Sequence, residues 1–201
     1  ERQLEAFSSL GIHDIIITTG PFAEKIREFV RTRFPELRVR YIYNEIYATT
    51  NYIYSMYKCK EFIDDDFILV HGDLLFDHSI VEDLIKSDVS RVVMNKTVPL
   101  PEKDFKGQIV DGKVRKIGIN VNGEGAYFLA PLYFLKMNTF QIWMKEIERY
   151  IQNGIVKCYA EDALNDIEDK QLYPYYYENL ICEELDTLDD LRRMEKYFPE
   201  Q

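Results

Sequence analysis

Apolar residues recur every three to four positions at the start of the chain, at Leu4, Phe7 and Leu10. This is the stripe of an amphipathic helix, and Gly11 ends it as a C-cap. The period then collapses into a continuous run over 14–19 (D-I-I-I-T-T), read as a buried strand broken by Gly20-Pro21. Helical spacing returns over 22–34, with Ile26, Phe29 and Val30 on one face and Pro35 as the stop. A strand is predicted over 37–43, a helix over 51–62, a strand over 66–71, a helix over about 79–87 and a strand over 89–95. Strand–helix alternation of this kind predicts βαβ units and a Rossmann-like, doubly wound, mostly parallel sheet.

The pattern changes after residue 97. Runs at 108–110 and 113–115 flank Asp111-Gly112, the signal of a two-residue hairpin, and 126–129 reads as a further strand. Together they predict a small β-rich insert over about 97–130. A helix over 138–152 turns Phe140, Trp143, Met144, Ile147 and Ile151 inward. A shorter helix at 161–169, strands at 172–177 and 180–185, and a final helix opened by Thr187 with Asp190 three residues on complete the pattern. No linker or repeat interrupts it, so residues 1–201 are expected to form one domain.

Composition narrows the function classes. The chain has 201 residues, 46% hydrophobic and 30% charged, and a formal charge of −10. It shows no basic stripe, which argues against a nucleic-acid binder. The three cysteines, Cys59, Cys158 and Cys182, lack metal-ligand spacing and read as reduced thiols of a cytoplasmic protein. No apolar run reaches the length of a membrane span.

The candidate chemistry gathers at strand ends, where open α/β sheets bind ligands. Asp73 follows the 66–71 strand in L-V-H-G-D-L-L-F-D, and Asp186 follows the 180–185 strand just before a helix. If both ends face one mouth, the two carboxylates form an open Mg²⁺ site; taken singly, each equally suits capping or a loop. Asn44, Thr50 and Asn51, in N-E-I-Y-A-T-T-N, could donate hydrogen bonds to a base, sugar or phosphate, or could cap the next helix. Tyr159 and Glu161, in Y-A-E-D, place an aromatic face beside an acid, with Phe105 as a possible further wall; a quaternary ammonium needs such surroundings, and core packing is the plainer alternative. Walker and G-x-G-x-x-G sequences are absent, and His13, His71 and His78 have no triad-like company.

L-G-I-H-D-I-I-I-T-T-G, Y-N-E-I-Y-A-T-T-N-Y-I-Y-S-M-Y, L-V-H-G-D-L-L-F-D, Y-A-E-D-A-L-N and C-E-E-L-D-T-L-D-D-L occur in this order. With these stretches the chain resembles the nucleotidyltransferases of the sugar-nucleotide type, on the CTP:phosphocholine cytidylyltransferase branch. The resemblance implies Mg²⁺ on Asp73 and Asp186, a trimethylammonium pocket at Tyr159 and Glu161 with Phe105 attached less firmly, and transfer of a cytidylyl group from CTP to phosphocholine with release of pyrophosphate. The family also carries a first strand and a glycine-rich loop, G-x-G-x-R with a Pro-Lys pair, which cradle the triphosphate. This chain starts after them. It is therefore expected to be N-terminally truncated, to lack a central strand between 14–19 and 66–71, to turn over poorly as it stands, and to expose sheet edges through which copies could associate. The alternatives are a sugar 1-phosphate or an aminoethyl phosphonate or phosphate as acceptor, and a non-catalytic regulatory module of the same fold.

Overall fold

The computed structural model describes residues 1–195 and 197. Helix α1 (Arg2–Ser9) leads into β1 (Asp14–Thr19), α2 (Ala23–Arg33) and β2 (Arg38–Tyr43). A 3₁₀ turn at Tyr47–Thr49 precedes α3 (Tyr52–Cys59), followed by β3 (Phe67–Val70), β4 (Leu74–Phe76), α4 (His78–Leu84) and β5 (Ser90–Asn95). The hairpin β6 (Lys106–Val110) and β7 (Lys113–Gly118) precedes β8 (Ala126–Leu135), α5 (Met137–Gln152), α6 (Ala160–Asn165), β9 (Leu172–Tyr176), β10 (Cys182–Glu184) and α7 (Leu188–Met194).

The core strands run mostly one way. β1 and β2 pair in parallel, as do β5 and β9. β3 and β5 flank β8 on either side, both antiparallel to it, so β3, β5 and β9 share a direction and β8 is the reversed strand among them. The carboxyl ends of β2 and β3 reach the same rim. Asn44, just past β2, bonds to Ser55 on α3, while Tyr52 on α3 packs edge-on against His71, just past β3. The hairpin β6–β7 extends the sheet beyond β8, and its turn residues Asp111 and Gly112 both take positive φ, as a two-residue hairpin turn requires.

Two apolar layers hold this sheet. β8 is buried on both faces and alternates strictly. Leu129, Tyr133 and Leu135 pack with Ile53 of α3 and Phe140, Trp143 and Ile147 of α5. Phe128, Ala130, Leu132 and Phe134 pack with Phe7 of α1 and Ile80, Val81 and Leu84 of α4.

Two elements differ from the sequence expectation. β8 runs on to Leu135 instead of stopping at 129, through Pro131. Proline cannot donate to a ladder, but here the β5–β8 register shifts between Val92 and Val93, opposite Pro131, and the Pro131 carbonyl still accepts the His71 N–H at 3.1 Å. The three-residue β4 had no sequence signal of its own; it exists because β10 pairs with it. No helix among the described residues is long and apolar enough to cross a membrane.

Candidate active site

The pairing of β10 with β4 builds the acidic half of the site. Glu184 lies opposite Leu74, and the Leu185 N–H donates to the Asp73 carbonyl at 2.9 Å. Residues 113 positions apart in the chain, Asp73 and Asp186, are thereby set on one rim. Glu184 stands between them. Ligand atoms of His71, Asp73 and Glu184 lie within 4.8 Å of one another, and so do those of Asp104, Glu184 and Asp186. Glu184 belongs to both groups, and either has the spacing to hold a divalent cation. Burial pushes the Asp104 carboxyl up, and the charges of Glu184 and Asp186 push it further, so the like charges here are not fully relieved by the protein. Lys106 is buried nearby, but its ammonium donates to the carbonyls of Pro101 (2.6 Å) and Glu102 (3.4 Å) and so ties down the loop that carries Asp104.

The aromatic half lies against it. The Phe105 ring is 5.0 Å from that of Tyr159 and 6.3 Å from that of His71; Tyr52 is 4.7 Å from His71 and 6.3 Å from Tyr159, all as ring centroids. The four rings form a closed circuit. Beside Tyr159 in sequence, Glu161 is 1% exposed. One of its oxygens accepts the Tyr133 hydroxyl at 2.7 Å; the other, like the Tyr52 hydroxyl, has no hydrogen-bond partner among the described residues. Burial raises the Glu161 carboxyl to about 8, so it is largely protonated near neutrality.

This segment is fixed from behind. The Trp143 indole N–H donates to the Ala160 carbonyl at 2.8 Å, and the Asp162 carboxylate accepts the Tyr159 N–H at 2.9 Å. His71 joins the two halves: its ring packs against Tyr52 and Phe105, and its Nδ1 lies 3.6 Å from Glu184.

Of the residues singled out from sequence, Asp73 and Asp186 reach the acidic rim but fall in different ligand groups, joined through Glu184; Phe105 and Tyr159 pack together in the aromatic half, and Glu161 is buried two positions on from Tyr159. Asn44, Thr50 and Asn51 make local bonds in the loop and at the start of α3. Asn44 is 3% exposed; its amide donates to Thr50 and Ser55, and its carbonyl accepts the Ile46 N–H. Thr50 donates to the Ile46 carbonyl, and Asn51 caps α3 through the Tyr52 N–H at 2.7 Å. Sequence reasoning missed His71, Asp104, Glu184 and Tyr52. His71, Glu184 and Tyr52 were visible inside three of the quoted stretches, but only the strand pairings and the turn of α3 reveal what they face.

Fold and comparisons agree on the class. The architecture is that of the nucleotidyltransferases of the sugar-nucleotide type. A solved structure of CTP:phosphocholine cytidylyltransferase from Streptococcus pneumoniae superposes with a TM-score of 0.76 at 22% identity, over 98% of this chain and 83% of that one. The chain belongs to the family described as "Domain of unknown function (DUF6564)", whose model matches residues 3–104. Among characterised proteins it is 26% identical over 204 aligned positions to choline-phosphate cytidylyltransferase of Streptococcus pneumoniae, covering 98% of this chain and 82% of that protein. A shorter match, 27% over 77 residues, links 38% of this chain to 12% of CMP-5'-(3-aminopropyl)phosphonate synthase of Streptomyces rubellomurinus.

Proposed function

We propose that this protein carries out cytidylyl transfer to the phosphate of a small molecule with a cationic head group, with phosphocholine as the preferred acceptor. The observation that carries this reading is the ring of Tyr52, His71, Phe105 and Tyr159 with the buried acid Glu161 beside it. A trimethylammonium has no N–H to donate. It is bound by aromatic faces and a desolvated negative charge. A sugar would need a circle of hydrogen-bonding side chains, which these four rings do not offer.

In the reaction, a phosphate oxygen of phosphocholine forms a bond to the α-phosphorus of CTP, and the bond from that phosphorus to the β-bridging oxygen breaks. Pyrophosphate leaves with the electron pair. The attacking oxygen is already ionised near neutral pH, so no general base is needed, and catalysis reduces to alignment and charge neutralisation. Two overlapping groups on the rim, Asp73 with His71 and Glu184, and Asp186 with Asp104 and Glu184, have the ligand spacing for Mg²⁺, and Glu184 links them. The four carboxylates offer hard oxygen ligands, and the unrelieved repulsion around Asp104 is what a cation would quench. When bound, Mg²⁺ would neutralise phosphate charge there. The chain's own part is to hold the head group in the ring so that its phosphate reaches this rim.

Isothermal titration of the protein with phosphocholine and with glucose 1-phosphate tests the acceptor. Micromolar to low-millimolar binding of phosphocholine alone supports the reading; preference for the sugar phosphate overturns it. A second acceptor class has one observation in its favour. The free oxygen of Glu161 and the Tyr52 hydroxyl could both accept from a primary ammonium, so aminoethyl phosphonate belongs in the same titration.

A further inference from the structure

The acidic rim carries two ligand groups of different chemistry. Asp104, Glu184 and Asp186 offer oxygen alone, whereas His71, Asp73 and Glu184 offer one imidazole nitrogen and two carboxylates. The second group is built by two short segments. His71 and Asp73 flank Gly72 in the turn between β3 and β4, and the Gln3 amide holds that turn by donating to the carbonyls of His71 (2.8 Å) and Leu74 (2.6 Å). Glu184 comes from β10, whose ladder with β4 sets it opposite Leu74.

The contact between His71 and Glu184 is left open. Nδ1 lies 3.6 Å from the Glu184 carboxylate, although the two side chains are only 19% and 15% exposed. A hydrogen bond would close this gap to about 2.8 Å. The Glu184 carboxylate accepts no hydrogen bond from the described residues, and the other ring nitrogen of His71, Nε2, is buried and equally without a partner among them. A largely desolvated carboxylate facing an unbonded imidazole is costly. The spacing suits two ligands of one ion instead. Around an octahedral cation with bonds of about 2.1 Å, neighbouring ligand atoms stand about 3 Å apart and opposite ones about 4.2 Å. The imidazole is also clamped. Tyr52 meets it edge-on at 4.7 Å and Phe105 at 6.3 Å, so the direction of its nitrogens is set before any ion arrives.

We propose that His71 is a metal ligand, and that the group His71, Asp73 and Glu184 takes a later first-row divalent cation, Fe²⁺ to Zn²⁺, in preference to Mg²⁺. Imidazole nitrogen suits these borderline cations, whereas Mg²⁺ favours oxygen and its own waters. The all-oxygen group of Asp104, Glu184 and Asp186 keeps Mg²⁺, and Glu184 bridges the two. Asp73 and Glu184 balance the charge of the ion, and a metal-bound imidazole is neutral, so His71 brings no positive charge of its own into the ring it shares with Tyr52. The assignment rests on the rim being a cation site and not on the acceptor proposed above.

The test titrates the whole chain with Co²⁺ alone, in the absence of nucleotide and acceptor. Proton NMR at the first equivalent of Co²⁺ should show far-shifted imidazole resonances, among them an exchangeable N–H that disappears in deuterated water. His71→Gln should remove these resonances and weaken Co²⁺ binding by about 10- to 100-fold, while Mg²⁺ affinity measured by calorimetry changes by less than about twofold. If His71→Gln fails to fold in circular dichroism, the unsubstituted chain still decides. It holds three histidines, and His13 and His78 belong to neither ligand group, so a single imidazole should leave the diamagnetic region of the spectrum. Binding of Co²⁺ with no shifted imidazole overturns the proposal and leaves the rim an all-oxygen cation site. Equal losses of Co²⁺ and Mg²⁺ affinity in His71→Gln overturn it too, since His71 then only shapes the carboxylates. Failure to bind either cation overturns it together with the cation role of the rim.

Discussion

The acidic rim and the aromatic ring both suit a cation, and they do so by opposite means. At the rim several carboxylates sit together at or near the surface, and Asp73 and Asp186 are open to solvent. Next to the ring, two positions on from Tyr159, a single carboxyl is sealed from water, and burial raises its affinity for a proton. A small, strongly hydrated ion that keeps waters suits the first; a large, weakly hydrated one suits the second. Carboxylate count alone says little about which cation a site prefers. Solvation decides.

Four experiments break or sharpen this contrast. The largest effect is expected at the rim. Asp73→Ala should lower turnover of CTP and phosphocholine by about 10³-fold or more, since several kcal/mol of charge stabilisation are removed, with phosphocholine affinity nearly unchanged. Near-normal activity in steady-state assays with added Mg²⁺ would remove the rim from the reaction. Next is Glu161→Gln in the ring. It should weaken phosphocholine binding by roughly 10- to 100-fold, the worth of a desolvated charge against a cation, while leaving the thermal midpoint at pH 8 or above equal or higher. Loss of folding in circular dichroism would instead make Glu161 a structural residue.

The third experiment uses pH. Glu161 must ionise to hold a cation, so phosphocholine affinity should climb by up to about tenfold per unit as pH rises toward 8, then level off, with proton release on binding seen by calorimetry in buffers of different ionisation enthalpy. The unliganded fold should respond with the opposite sign. With the folded carboxyl at about 8 against 4.5 for the free group, the folded state holds more protons in between, so this group's contribution to stability falls as pH rises through that window. A pH-independent affinity would break the contrast. The smallest effect is Tyr159→Ala. This ring is 37% exposed, so its cation–π contribution is about 0.5–1 kcal/mol, a two- to fivefold rise in phosphocholine Kd. A larger loss would mean that Tyr159 also holds Phe105 in place.

The two halves were unequally legible in the sequence. Tyr159 and Glu161 are two positions apart, so their proximity is local, and only the closing rings, Tyr52 and His71, needed the fold. The rim is non-local. Asp73 and Asp186 stand out because each ends a strand, but Glu184 and Asp104 become neighbours only through the three-residue β4–β10 ladder and the loop pinned by Lys106. Such short strands leave no periodicity to read. Pro131 hid half of β8, because proline normally argues against a central strand and the register shift that accommodates it depends on β5. Asn44, Thr50 and Asn51 show the reverse risk. Small polar residues after a strand end serve a ligand or a helix cap with the same chemistry, and here the bonds they make run to the loop and the cap.

The anchoring of Ala160 by Trp143, with Tyr159 tied to Asp162, has an engineering consequence. Tyr159 and Glu161 flank a pinned carbonyl and share one short, stiffened backbone, so they move as a unit. Residues 159–162, with their tryptophan support, should therefore be exchanged between homologous scaffolds as one cassette, and recognition should follow only where the recipient also supplies rings at the positions of Tyr52, His71 and Phe105.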